Sequence, residues 1–307
     1  MPARSKVSLV QPIETKWEYI SPQDYIRYGL DFKEWCARAK KVRDKSGKLV
    51  PFILNEAQIE FADTILPLLL NKERKSIVEV WVHKSRQLGI STVISALEQY
   101  VFITTNALTG IHMFPTNKLA LAFAEEKFTP LLEATHPLYM PTTYARQSLN
   151  FVDYKVTDYR NSKRDITIQL TGANNKGAGR SGTNQLIVFD EYAYYTKVAE
   201  MERGVLATQG SGATFGIRVY VSTAHGTNHF FDGTERAKKF MQTDQNVVYL
   251  FLPWHILKEY EAEPKGRLVS LTHLMDYEIK ICEEFDRREY PVSTWTRKLQ
   301  WYEDTLE

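Results

Sequence analysis

The 307-residue chain has two cysteines, Cys36 and Cys282. They lie far apart, in no CxxC pair and no Cys/His cluster, so a disulfide scaffold and a zinc knot are excluded and both are expected as reduced thiols. No run of about 18 apolar residues is present, which excludes a membrane-spanning helix of ordinary length. The first residues, MPARSKVSLVQPIETKWEY, hold no apolar stretch of signal-peptide length. Glycine (15) and proline (12) are too few, and apolar residues (43%) too many, for a disordered or collagen-like chain. No excess of one charge stands out either: 39 lysines and arginines face 37 aspartates and glutamates, which argues against a uniformly basic nucleic-acid coat. The balance conceals a gradient. Residues 1–50 carry 11 basic and 6 acidic side chains, whereas residues 235–307 carry 11 and 14.

What is there reads as α/β. Tyr25, Tyr28, Phe32, Trp35 and Cys36 fall on one face of a helix predicted over 25–43. Asn55 is a good N-cap for a helix through Phe61, Ile65 and Leu66. Residues 77–82 are β-branched and aromatic and predict a strand. A turn at 84–90, a helix over 91–105, a strand at 109–114 and a helix over 117–133 follow. This alternation predicts a mostly parallel central sheet with helices on both faces. Residues 150–171 alternate and predict antiparallel additions. Further strands are expected at 185–189, 215–221 and 247–252, and the chain beyond 268 reads as helical and acidic.

Three segments carry chemistry. The first, Lys84-Ser85-Arg86-Gln87-Leu88-Gly89-Ile90-Ser91-Thr92, sits between a strand and a helix, where free N–H groups face an incoming anion. It follows the phosphate-loop pattern GxxxxGK-Ser/Thr at Gly89 and Ser91, but Lys84 replaces the first glycine and Ile90 the lysine. A lysine opening the loop can still reach the phosphates that the loop wraps, and Arg86 is a second cation in the turn. The second segment, Leu186-Ile187-Val188-Phe189-Asp190-Glu191, ends a buried strand in two acids, one able to hold Mg²⁺ and the next to orient and deprotonate water. The third is Val221-Ser222-Thr223-Ala224, whose hydroxyls can sense a γ-phosphate. Their order along the chain points to nucleotide hydrolysis at the carboxyl ends of parallel strands.

Two other patterns are weaker. The glycines at 177, 179 and 182 match GxGxxG but lead into a strand instead of opening a helix, so a dinucleotide site is not expected. His225 and His229 have the spacing of HExxH, but Gly226 replaces the glutamate, which argues against zinc.

KSRQLGIST, LIVFDEYA and VSTA, with the upstream PFILNEAQ, resemble the ATPase domain of the large terminase subunit of tailed bacteriophages, over most of residues 50–255. The resemblance implies a RecA-like P-loop fold and Mg-ATP hydrolysis coupled to movement of double-stranded DNA, without sequence preference, into a procapsid. It implies adenine recognition by Gln58 with Phe52, and nucleotide contacts along residues 84–92. Lys84 would serve as a displaced phosphate-loop lysine, and Ser91 and Asp190 would be magnesium ligands. Glu191 would activate water, and Ser222, Thr223 and Ala224 would couple hydrolysis to DNA movement. An arginine finger is implied too: Arg180 acting on a neighbouring subunit, or Arg86 acting in cis. The implied partners are the portal protein, the small terminase subunit and further copies in a pentameric ring, in the cytoplasm of the infected host. Members of that family carry a C-terminal RNase H-like nuclease. Only about 50 residues follow Pro253, too few for such a domain, so the chain is expected to comprise a basic N-terminal extension (1–49), the ATPase core (50–255) and a helical linker or lid (256–307), without DNA cleavage. A superfamily-2-like helicase, or a degenerate protein that binds nucleotide or DNA without hydrolysis, remains the alternative.

Overall fold

A computed structural model describes residues 6–71, 73, 75–105, 107–158, 165–175, 183–209, 215–269, 271 and 274–306. The strands are β1 (Lys6–Leu9), β2 (Lys41–Arg43), β3 (Leu49–Pro51), β4 (Ile77–Lys84), β5 (Ala107–Phe114), β6 (Thr142–Gln147), β7 (Phe151–Asp158), β8 (Asp165–Gly172), β9 (Leu186–Asp190), β10 (Gly216–Ser222) and β11 (Val247–Leu252). The α-helices are α1 (Pro22–Leu30), α2 (Phe32–Ala39), α3 (Glu56–Leu70), α4 (Ile90–Thr104), α5 (Asn117–Phe123), α6 (Thr129–Glu133), α7 (Val198–Leu206), α8 (His229–Phe240), α9 (Asp276–Arg287) and α10 (Val292–Leu306). Two compact units result, Met1–Leu252 and Pro253–Glu307.

In the first unit nine strands form one sheet in the order β1-β6-β7-β8-β5-β9-β10-β4-β11. From β8 to β11 every pairing is parallel, and β1, β6 and β7 extend the sheet antiparallel. β8 is both: antiparallel to β7 and parallel to β5, so it joins the two halves of the sheet. The short hairpin β2–β3 stands apart from it.

Alternation along the strands decides which helix covers which face. Trp81 pairs with Tyr220, and Tyr220 with Phe189, across three adjacent strands. The three rings stack in a row, centroids 4.2 and 4.8 Å apart. Helix α8 lies on this row, with Phe230 and Ala237 in the same cluster. Val80, Val82, Val188 and His112 alternate to the opposite face. α4 covers that side, since its Glu98 meets His112.

Two helices break where the sequence reading ran them on. The predicted helix over 25–43 is α1 and α2, parted at Asp31, followed by β2. Asp31 is extended, and its carboxylate accepts from the N–H groups of Lys33 and Glu34, so it caps the second helix instead of continuing the first. The helix predicted over 117–133 contains a π-helical turn, Ala124–Phe128, between α5 and α6. Pro130 has no N–H to give the preceding turn, and the wide turn sits just before it.

The second unit is built on α9 and α10 around Leu268, Cys282, Phe285 and Leu299. His255 is buried there, edge-on to Phe285 and Tyr290. Burial, with the nearby charges of Arg288 and Lys298, pushes its pKa down from 6.5 to about 3. A histidine held neutral in the fold but free to protonate when unfolded contributes stability above pH 6.5 and loses it as pH falls towards 3. The loss is about 1.4 kcal/mol per pH unit across that window. His255→Leu is therefore expected to flatten the acid limb of a urea-midpoint-against-pH curve read by tryptophan fluorescence. An unchanged acid limb would refute the assignment.

Candidate nucleotide site

The site forms at the carboxyl edge of the parallel strands. β10 separates β4 from β9, and the register levels Val82, Val221 and Asp190 across the three. Residues just past that level therefore share one edge: Lys84 from β4, Glu191 from β9, and Ser222 with Thr223 from β10.

Lys84 is the last residue of β4 and is buried. Its ammonium donates to Glu191 Oε1 at 3.0 Å. The loop after it turns through two left-handed residues, Gln87 and Gly89. Gly89 is required twice over. Its φ is +71°, and a Cβ there would lie 2.5 Å from Gln58 Nε2. That close approach is a hydrogen bond, Gln58 Nε2 donating to the Gly89 carbonyl at 3.0 Å, while Gln58 Oε1 accepts from the Asn55 N–H to close the capping box of α3. Asn55 Nδ2 donates to the Leu88 carbonyl from the same helix start. Gln58 thus braces the loop from beneath, and Phe52 is buried in the core beside this helix start. Leu88 and Ile90 are buried, which anchors the loop at both ends, while Arg86 and Gln87 are exposed, Ser85 and Thr92 half-buried.

Ser91, in the first turn of α4, donates to Asp190 Oδ2 at 2.8 Å. Asp190 Oδ1 accepts the Glu191 N–H at 3.0 Å. Burial alone would raise the Asp190 pKa. The facing imidazole of His112, with Lys84 and the Ser91 hydroxyl, outweighs it and holds the carboxylate below the usual range. A hydroxyl and an ionised carboxylate side by side are hard oxygen donors suited to Mg²⁺. Among the described residues no group of three or more histidines, cysteines or acids is placed to hold a metal, so phosphates and water would have to complete the shell of an ion here.

Ser222 is buried, and its Oγ accepts the Ala193 N–H at 3.2 Å. Thr223 Oγ1 lies 3.4 Å from the Tyr194 hydroxyl, and Ala224 is exposed. Tyr194 also bonds to Arg86, and these two contacts pull its pKa down. The loop after Glu191 therefore touches the end of β10 and the turn that follows β4. Of the two arginine candidates, Arg86 is placed at this edge and Arg180 lies outside the described residues. His229 Nε2 meets the Tyr192 carbonyl at 2.7 Å, and the His225 ring lies tilted against Tyr194, centroids 4.4 Å apart, so both histidines pack around the same loop.

Sequence reasoning missed Glu98 and His112. Burial works to lower the His112 pKa, but the carboxylates of Glu98 and Asp190 overcome it and raise the pKa to about 9. The signal was present: a lone glutamate in the apolar run of α4, seven residues after Ser91, and a lone histidine in the apolar β5.

No protein-family model matches the chain, and no curated protein matches it in sequence. Solved structures do. The large terminase of bacteriophage HK97 aligns with 88% of this chain at 11% identity and a TM-score of 0.51. The Thermus phage P74-26 large terminase ATPase domain aligns with 76% of this chain and 90% of its own at 16% identity, TM-score 0.41. The large terminase of a thermophilic bacteriophage, in complex with ATP-gamma-S, aligns with 78% of this chain and 50% of its own at 14% identity, TM-score 0.44. The chain spans 55% of the HK97 protein's length. By its fold, a mostly parallel P-loop-like sheet clothed in helices, this chain is similar to a bacteriophage large terminase.

Proposed function

We propose that the chain is an Mg-ATP-hydrolysing motor of viral DNA packaging, coupling turnover to sequence-independent translocation of double-stranded DNA. The observation that carries this is the convergence at one sheet edge of Lys84, Ser91, Asp190, Glu191, Ser222 and Thr223, drawn from four elements of the fold. In this reading the loop N–H groups and Lys84 cradle the phosphates, with Ser85, Arg86, Gln87, Leu88, Gly89, Ile90 and Thr92 forming the cradle wall. Ser91 and Asp190 hold magnesium, which neutralises developing charge on the phosphoryl oxygens. Glu191 orients the attacking water and takes its proton. Lys84 serves two anions in turn: the carboxylate it now touches and the phosphates. The base is read beside Gln58, whose second amide N–H meets no acceptor among the described residues, with Phe52 supporting that helix start. Arg86, tied through Tyr194 to Thr223, is the cis candidate for stabilising the transition state, and Arg180 the trans candidate. Ser222 and Thr223 register the phosphate state through the loop after Glu191. A portal, a small subunit and a ring of copies belong to the same proposal.

The test is ATP turnover by the chain with and without double-stranded DNA, with Lys84→Ala alongside. Lys84→Ala is expected to lower kcat/KM about 100-fold or more, as removal of a group aimed at transition-state charge does, and to weaken nucleotide binding. Absence of turnover in the wild type at high protein concentration would favour the non-hydrolysing alternative. Turnover that survives Lys84→Ala would sink the displaced-lysine role.

A further inference from the structure

Ser91 and Glu98 are seven residues apart on α4, two turns, so they share a face. That face looks at β5 and β9. His112 on β5 pairs with Val188, two residues before Asp190 on the neighbouring strand. The three groups Glu98, His112 and Asp190 are buried, 1%, 0% and 2% exposed. His112 Nδ1 lies 3.0 Å from Glu98 Oε1 and 3.2 Å from Oε2. Its Nε2 points at Asp190 Oδ2 from 3.8 Å, the same oxygen that Ser91 holds at 2.8 Å. The ring is clamped sideways by Phe114, stacked at 4.5 Å, and by Phe123 at 5.0 Å.

Such a pair is a poor way to fill a core. Burying a carboxylate with an imidazole costs desolvation that apolar side chains of similar volume avoid. Among the described residues Nε2 has no hydrogen-bond partner within reach, and the polar group it faces is Asp190. We propose that His112, held by Glu98, is a positioning residue that fixes the orientation of the Asp190 carboxylate so that Asp190 and Ser91 together present their oxygens to the magnesium of the bound nucleotide. The proposal rests on the ATPase reading above. In it, Glu98 sets the ring, the ring sets Oδ2, and Oδ1 is set separately by the Glu191 N–H. Both carboxylate oxygens are then fixed before the ion arrives. Partners of this kind behind a metal ligand are worth about 10–100-fold in metal affinity.

The experiment measures Mn²⁺ binding by electron paramagnetic resonance in the presence of ADP, and ADP binding in EDTA by calorimetry. It compares the full chain with His112→Leu, His112→Gln and Glu98→Gln. His112→Leu is expected to weaken Mn²⁺ binding about 10–100-fold while leaving metal-free ADP binding unchanged. His112→Gln, whose amide nitrogen reaches the place of Nε2, should recover most of the loss. Glu98→Gln, nearly isosteric, should show a smaller loss in the same direction, and it decides the matter if the leucine variant does not fold. Wild-type Mn²⁺ affinity in His112→Leu, or in Glu98→Gln where leucine fails, overturns the proposal. So does an equal loss of metal-free ADP binding. A wild-type chain that binds neither manganese nor ADP overturns the ATPase reading and this proposal with it. A wild type that binds both, with variants to match, overturns the positioning role alone.

Discussion

Glu191→Ala is expected to slow ATP turnover at least about 100-fold, the lower end of what a positioned general base supplies, while nucleotide affinity holds or rises. The two effects have one cause. Glu191 Oε1 accepts from Lys84 at 3.0 Å, and Glu191 is the more open of the two, 38% exposed against 8%. On the proposed roles, removing the carboxylate would take away the group that deprotonates water and also release the ammonium to the phosphates. Lys84→Ala does the reverse on binding, because it removes a cation from the phosphates and leaves Glu191 without its partner. The two variants should therefore lose turnover together and move apart in affinity. Steady-state phosphate release with equilibrium binding of a fluorescent ATP analogue reads both. Turnover by Glu191→Ala within about threefold of wild type would remove Glu191 from the role of base, and parallel losses of affinity would show that the pair is only structural.

The second large effect is on stability. In Gly233→Ala the new Cβ would fall 2.1 Å from Cη2 and Cζ3 of Trp81. The indole cannot retreat into the sheet, because it is stacked on Tyr220 at 4.2 Å with the planes 9° apart, and Tyr220 is stacked on Phe189 behind it. Helix α8 must move outward instead. Overpacking of this kind costs typically 1–3 kcal/mol, and the rigid neighbours place this case near about 3 kcal/mol, a fall in Tm of roughly 6–12 °C for a unit of this size. The shift would also be felt at the site. Asn228, the N-cap of α8, donates to the Ala193 carbonyl, and Ala193 donates to Ser222. Thermal unfolding checks the prediction, and adding Trp81→Leu to Gly233→Ala should return part of the loss. A Tm within about a degree of wild type would refute the packing argument.

The strand-loop-helix order and the two acids at the end of β9 were legible because they are local. An apolar run of four followed by Asp190 and Glu191, or a glycine and hydroxyl after a β-branched strand, reports itself within ten residues. The break at Asp31 was also local, but the apolar stripe of Tyr28, Phe32 and Trp35 continues across it and masks the cap. The Lys84–Glu191 pair could not be read, because it depends on β10 lying between β4 and β9, a choice of strand order that no short stretch encodes. Gln58 shows the same limit. Its place three residues after Asn55 announced a helix start, yet its bond to the Gly89 carbonyl spans 31 residues. Glu98 and His112 are polar residues in apolar runs, a signal that was passed over, and only the fold shows that they face each other and Asp190.

Glu191 sits in the left-handed backbone region, φ 53° and ψ 42°. A side chain with a Cβ is strained there by roughly 1–2 kcal/mol, a penalty that glycine escapes and asparagine softens. If Glu191 is the proposed base, the residue that hydrolysis would require at position 191 is one that the backbone disfavours. In a lineage relieved of the need to turn over ATP, drift at this position would run downhill towards glycine or asparagine, and the protein would gain stability as it lost its chemistry. The identity of the residue at this one position among homologues would then record whether selection for catalysis is still in force.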